Sequence, residues 1–253
     1  MEYTVFEGMI SVRALIASVQ AGSNDRKIYK ILLTEGAEKA NPKLKAYLSH
    51  RASELGFEIV TASEEEVAGY TTGKSHGGIA ALCGERTIPL LTDCSTDGRF
   101  YVMLSGIEDP YNFGYALRSL YAAGVDGIIL EPRNWMSAAG TVCRSSAGAS
   151  ELFDIFLADG VTAAEYFKNK GFSVYCADMK NSVSIYETEF DLPLFLIVGG
   201  EKRGISAKVR SVCDKALRLD YGRDFPEALS AASAASIISF EIMRRTGLYH
   251  REP

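Results

Sequence analysis

The sequence predicts an α/β protein, with a parallel sheet in its second half and a smaller α/β unit ahead of it. Three observations carry this. Short apolar runs fit for buried strands, such as Tyr101–Leu104 and Leu194–Val198, alternate with segments of helical spacing. The connections are short and marked by Gly, Pro, Asn and Asp. A turn-rich stretch, with Gly84, Pro89, Thr92, Asp93, Ser95, Thr96, Asp97 and Gly98, divides the chain into residues 1–95 and 96–253. Alternating helices and apolar strands imply a parallel sheet covered on both faces.

Composition bounds the class. Of 253 residues, 47% are hydrophobic and 23% charged, as in ordinary globular proteins. No apolar run approaches the ~18 residues of a membrane span. The start, MEYTVFEGMISVRAL, has no basic segment ahead of an apolar core, so no signal peptide is expected. Five scattered cysteines form no C-x-x-C pair and three histidines are isolated. This argues against a metal site or a disulfide framework and for a reducing cytoplasm. Net charge is −5, with ten basic against twelve acidic residues up to position 95 and seventeen against twenty beyond it. Any nucleic-acid partner therefore needs a local basic patch.

In the first part, Val12–Val19 is a helix candidate with Val12, Leu15, Ile16 and Val19 on one face, and Ile28–Leu33 a strand. Asn41-Pro42 opens a helix that Gly56 stops. Phe57–Val60 is a strand, Ser63 with Glu64–Glu66 a capped helix start, and Ile79–Cys83 a strand after the loop at Gly73–Gly78. Such alternation suggests three layers.

In the second part, Phe100–Leu104 is a strand, Asp109-Pro110 a break, and Asn112 a candidate cap for the helix to Ala123. Gly127–Leu130 is a strand, and Ser145–Ala149 a small-residue helix or loop. Thr162–Lys170 is a helix with a Thr162/Glu165 capping box. Phe172–Cys176 and Leu194–Val198 are strands, Ser206–Cys213 a helix, and Ala216–Leu219 a strand. The last helix runs from Pro226 to Arg245, before Gly247. A helix N-terminus at the carboxyl end of a strand is where open α/β sheets bind ligands.

Three segments carry the chemistry: Asn112, Gly114 and Arg118; then Gly199, Glu201, Gly204 and Ser206; then a strand leading to a serine-bearing helix at Ser230. In this order and spacing they resemble the motifs of the SpoU (TrmH-like) RNA 2′-O-ribose methyltransferases of the SPOUT class. The resemblance spans roughly Phe100–Arg245. It implies a C-terminal trefoil knot, S-adenosylmethionine as cofactor without a metal, RNA (rRNA or tRNA) as substrate, and a homodimer with a shared active site and no membrane. It assigns catalysis to Asn112, Arg118, Glu201 and Ser230. The cofactor would lie against Val198, Gly199, Gly200, Gly204, Leu219, Tyr221 and Leu229. More weakly, Gly8–Ala17 and His76–Ile79 resemble the family's RNA-binding N-terminal domain, a ribosomal-protein-like fold.

A guanidinium suits Arg118's role because it stays cationic and offers several donors to a developing alkoxide. A guanidinium holds its proton at neutral pH, so charge stabilisation and positioning fit it better than a general-base role. The family pattern is not complete: Gly200 and Ser230 stand where Asn is usual, and Ala232 where Ser is usual. These departures keep open a catalytically weakened RNA-binding relative. A small-molecule enzyme on a similar scaffold is a third reading. Phosphate-loop and dinucleotide readings fail, since no Gly-Lys-Ser/Thr follows Gly199 and no G-x-G-x-x-G follows the first strand.

Overall fold

The computed structural model describes residues 3–73, 76–93, 96–132, 138–200 and 204–248. The chain divides into two compact units, Met1–Thr87 with Asn134–Leu152, and Ile88–Arg133 with Phe153–Pro253. In chain order, the first unit holds β1 (Thr4–Glu7), α1 (Met9–Ala21), β2 (Ile28–Thr34), α2 (Glu35–Ala40), α3 (Pro42–Leu55), β3 (Glu58–Ala62), α4 (Glu64–Tyr70) and β4 (Ile79–Cys83). The second then takes β5 (Phe100–Ser105), α5 (Pro110–Ala122) and β6 (Gly127–Leu130). The chain returns to the first unit with α6 (Ala139–Ser145) and α7 (Ala149–Leu152). It completes the second with β7 (Asp154–Leu157), α8 (Gly160–Asn169), β8 (Ser173–Ala177), β9 (Val183–Ser184), β10 (Leu194–Gly199), α9 (Ala207–Val212), β11 (Lys215–Arg218) and α10 (Ala231–Thr246).

The first unit's four strands lie in the order β1-β4-β2-β3, with only β2 and β3 parallel. Period-two alternation splits their side chains between two cores. Ile31, Leu33, Ile79 and Ala81 join Leu15 and Ile16 of α1 and Leu44 and Leu48 of α3. Leu32, Ala80 and Leu82 face the other way and meet Val67 of α4. The result is the expected three layers. Ser63 and Glu66 form the expected capping box, and Gly56 ends α3 at φ 75°.

The returning segment differs from the sequence division at residue 95. Small residues and two buried arginines tie it to the first unit. Gly148, at φ 90°, lies so close to α1 that a Cβ there would stand 2.3 Å from that of Ala14. Arg26 pairs with Glu151 at 2.8 Å, both side chains under 5% exposed. Arg86, buried within the expected linker, donates to the Ser150 carbonyl at 3.1 Å. Removing one partner of so buried an ion pair typically costs about 3–5 kcal/mol.

The second unit's sheet has the order β7-β6-β5-β10-β8-β11-β9, every pair parallel. Phe195 and Ile197 pack with Ala163, Ala164 and Phe167 of α8 and with Val209 of α9. The ring of Phe195 stacks on Phe167 at 4.3 Å between centroids. On the other face α10 packs on α5 and on β10.

Helix starts account for most differences from the sequence reading. Asp109, not Asn112, caps α5, its carboxylate accepting from the Tyr111 and Asn112 amides at 2.7 and 3.0 Å. Asp159, not Thr162, caps α8 in the same way. The carboxylates precede the first turn and reach two amides each, which a residue already inside the helix cannot do. The last helix begins at Ala231, five residues after Pro226, because Ser230 caps it.

Candidate functional site

The carboxyl ends of β8, β10 and β11 open onto a cavity of about 510 Å³ in the second unit. Residues just beyond three strands line it: Asp178 and Lys180 after β8, Gly200, Gly204 and Ile205 after β10, and Leu219, Tyr221 and Leu229 after β11. All seven residues proposed from sequence for a cofactor line it: Val198, Gly199, Gly200, Gly204, Leu219, Tyr221 and Leu229. Leu217 and Ile238, each 1% exposed, complete an apolar wall. The Tyr221 hydroxyl accepts from the Leu229 amide at 3.2 Å, which pins the last connection across its own width.

Gly200 stands where a longer residue is usual in the pattern, and the geometry gives the reason. A Cβ at 200 would lie 2.3 Å from the Gly106 carbonyl oxygen and 2.6 Å from its carbon. Such contacts are with backbone and leave no side chain to move aside. Gly204 bridges back to Gly200, its amide donating to the Gly200 carbonyl at 2.9 Å. Gly200 and Gly204 therefore form a tight backbone wall.

On the far side of that wall lies a second cavity of about 290 Å³, sharing Gly200, Gly204 and Ile205 with the first. Ser105, Glu108, Glu131 and Ser206 supply its polar lining. Ser105 donates to Glu131 at 2.9 Å. This cavity sits between the ends of β5 and β10, next to where strand order reverses.

Polar groups on the larger cavity were not foreseen. Asp178 pairs with Arg210 at 3.1 Å and accepts from the Lys180 amide at 2.9 Å. Arg210 also donates to the Lys180 carbonyl. Beside them, hydrogen bonds from Ser184 and then Arg218 hold the Asp220 carboxyl below its ordinary range. The available signal was their position just beyond apolar strand ends, where ligands bind.

The catalytic candidates are dispersed. Arg118 is exposed on α5 and Asn112 partly buried at its first turn; neither is in the described lining of these two cavities. Ser230 caps α10, its oxygen accepting from the Ser233 amide at 3.1 Å and its hydroxyl donating to Ser233 at 3.0 Å. Its neighbours Leu229 and Ala231 line the cavity and it does not. Ala232 is buried and offers no polar atom. Glu201 lies outside the described residues. In the first unit, His76 is buried and its Nδ1 accepts from the Gly78 amide at 3.1 Å. Among the described residues no cluster of three or more His, Cys, Asp or Glu could hold a metal, and no helix is long and apolar enough to cross a membrane.

The model of the SpoU rRNA methylase family matches residues 99–240, more than half of the chain. The chain belongs to the SpoU rRNA methylase family. Both cavities and all three motifs fall inside the matched span. Over nearly its whole length the chain is also similar to a Staphylococcus aureus (strain COL) protein assigned to the TrmH family of tRNA/rRNA methyltransferases. The two are 28% identical, covering 97% of each. Among solved structures, an AdoMet-bound rRNA methyltransferase from Sinorhizobium meliloti superposes with a TM-score of 0.79 at 20% identity, covering 96% of this chain and 87% of that one. An RNA 2′-O ribose methyltransferase superposes with a TM-score of 0.76, also at 20% identity, covering 96% and 89%. At these identities the structural likeness establishes the fold, and the SpoU membership rests on the family match.

Proposed function

We propose that this SpoU member transfers a methyl group from S-adenosylmethionine to a ribose 2′-hydroxyl of rRNA or tRNA, as a homodimer in a reducing cytoplasm. The observation that carries the reading is the convergence of three strand-end connections on one apolar, glycine-walled cavity within the family match. The cavity suits a neutral adenosine bearing a sulfonium. Leu217, Leu219 and Ile238 offer apolar walls, while Gly199, Gly200 and Gly204 offer backbone groups close in. When bound, S-adenosylmethionine supplies an electrophilic methyl. The seven lining residues hold it, Tyr221 by fixing Leu229 and the glycines by close backbone approach.

The chain must then orient a poor nucleophile and steady its growing negative charge. We assign the charge to Arg118 and substrate or arginine positioning to Asn112. Because both sit on α5 outside the described lining of the two cavities, we assign their action to the site of a partner copy. Exposed Tyr111 and Tyr115 on α5, with Ile237 and Phe240 on α10, supply an apolar surface for that pairing. Glu201 is assigned to the same shared site by its motif position. Ser230 serves as a positioning residue, fixing where α10 begins and hence Leu229 and Ala231.

The fold we assign to residues 96–253 is the SPOUT type with a trefoil knot. Its support is the insertion of β10 between β5 and β8 and the contact of Gly200 with Gly106. We assign RNA binding to the first unit. The deciding experiment incubates the full chain with tritiated S-adenosylmethionine and RNA from cells lacking the protein, then maps 2′-O-methyl sites by mass spectrometry. A ribose methylated only with the chain present is expected. Background counts with every RNA fraction, alongside RNA binding, would leave the weakened-relative reading in its place.

A further inference from the structure

We infer that the α4-side face of the first unit, at the start of β2, is a stacking platform for single-stranded RNA built from Tyr3, Tyr29 and Tyr70 with Lys27 and Lys30. The inference rests on the RNA reading above and goes further by naming the surface and the form of the nucleic acid.

A β-bulge creates the surface. The register of β2 against β4 slips between Ile28 and Lys30. Ile28 and Ile31 both enter the core under α1 and α3. Strict alternation places an odd number of residues between two that share a face, and here there are two, Tyr29 and Lys30. The bulge lets Tyr29 and Lys30 share the opposite face, since a bulge re-aims a side chain. There Tyr3, packed at the edge of the α4-side core, meets Tyr29 edge-to-face at 5.7 Å between centroids. Lys30 Nζ lies 5.9 Å from the Tyr3 ring and 6.0 Å from that of Tyr70. Lys27 Nζ lies 5.6 Å from the Tyr29 ring. Tyr70 is 42% exposed, and Tyr3, Tyr29 and Lys30 are partly exposed.

Three partly open tyrosine rings around two ammoniums match a nucleic-acid strand in both of its parts. Unpaired bases stack on aromatic faces, and lysines meet the backbone phosphates. A duplex hides its base faces and would use only the lysines. The acidic group nearest in register is Glu58, opposite Lys30 on β3.

The test uses the full chain and a labelled oligouridylate of about twenty nucleotides, read by fluorescence anisotropy over a salt series, with a matched RNA duplex alongside. Tyr70→Ala is expected to weaken single-strand binding about ten-fold, within the range for losing one stacking partner, while Tyr70→Phe keeps it. Lys27→Gln should lower the salt slope by about 0.7, the value for one phosphate of a single strand. Both residues are exposed, so neither change endangers folding, and S-adenosylmethionine affinity serves as the control. Unchanged oligouridylate affinity in Tyr70→Ala and Lys27→Gln would overturn the platform while leaving methyl transfer to RNA intact. Equal losses for single strand and duplex would also overturn it, reducing the surface to bulk charge. Single-strand binding that depends on Tyr70 in a chain that methylates no RNA would uphold the platform and sink the enzyme reading instead.

Discussion

Two parts of the second unit carry the family's signature and behave differently. Val198, Gly199, Gly200, Gly204, Leu219, Tyr221 and Leu229 converge on one cavity within a single chain, whereas Asn112 and Arg118 on α5 are not in its lining. The contrast separates holding from reacting. A cofactor wall is made by backbone approach, which one fold can complete alone. A catalytic cation on an exposed helix needs something outside the chain to act upon, and on this account that is a partner's cavity.

The largest expected effect comes from breaking the wall. Gly200→Asn would set a Cβ 2.3 Å from the Gly106 oxygen. We predict that calorimetry will detect no S-adenosylmethionine binding at millimolar ligand, although the wild type binds. Retained binding would show that the 199–204 loop has room to move. Next is the exposed helix. Arg118→Lys should lower the methyl-transfer rate by about 10²–10³, the scale of one lost oxyanion donor, with cofactor affinity within a few-fold. Near-normal turnover would reduce Arg118 to a surface residue.

Ser230→Ala sharpens the comparison from between the two. As a helix cap its loss should cost about 1 kcal/mol in denaturant unfolding, with a modest rise in the cofactor dissociation constant through Leu229 and Ala231. A rate loss as large as that of Arg118→Lys, without a loss of stability, would make Ser230 catalytic after all.

The smallest effect concerns the far end of α10. Glu241 is held down to about 2 from an ordinary 4.5, first by its hydrogen bond from Arg244 and also by Arg245. A carboxyl with a lowered folded pKa adds stability that is present above its unfolded value and is lost as pH falls towards the folded one. Stability should therefore fall slightly between about pH 4.5 and pH 2, and Glu241→Gln should flatten that part of the curve. Because Arg244, which contributes most, is 63% exposed, the change is expected to be small.

Much of this was legible in the sequence because burial writes itself into period and length. The apolar runs of β5 and β10 were strands at the stated positions, and Gly56 and Gly247 end helices in the left-handed conformation that glycine favours. The seven cavity residues were legible as a resemblance, and their convergence is geometry that no spacing shows. Some short elements escaped: β1 and β7 were not expected, although β6 and β11, of the same four-residue length, were. Caps were misplaced where an acid stood just ahead of the residue chosen. The return of 138–152 to the first unit was hidden because small residues such as Gly148 read as loop until the helix they press against is known.

Mixing two inactive chains tests the central claim most directly. Arg118→Ala keeps the cavity and Gly200→Asn keeps the arginine, so a mixed dimer holds one whole site. Refolded together in equal amounts, they should recover about a quarter of wild-type methyl transfer, since half the dimers are mixed and each has one of two sites. Activity no greater than that of either variant alone, with mixed dimers confirmed by mass, would contradict an arginine acting across the pair.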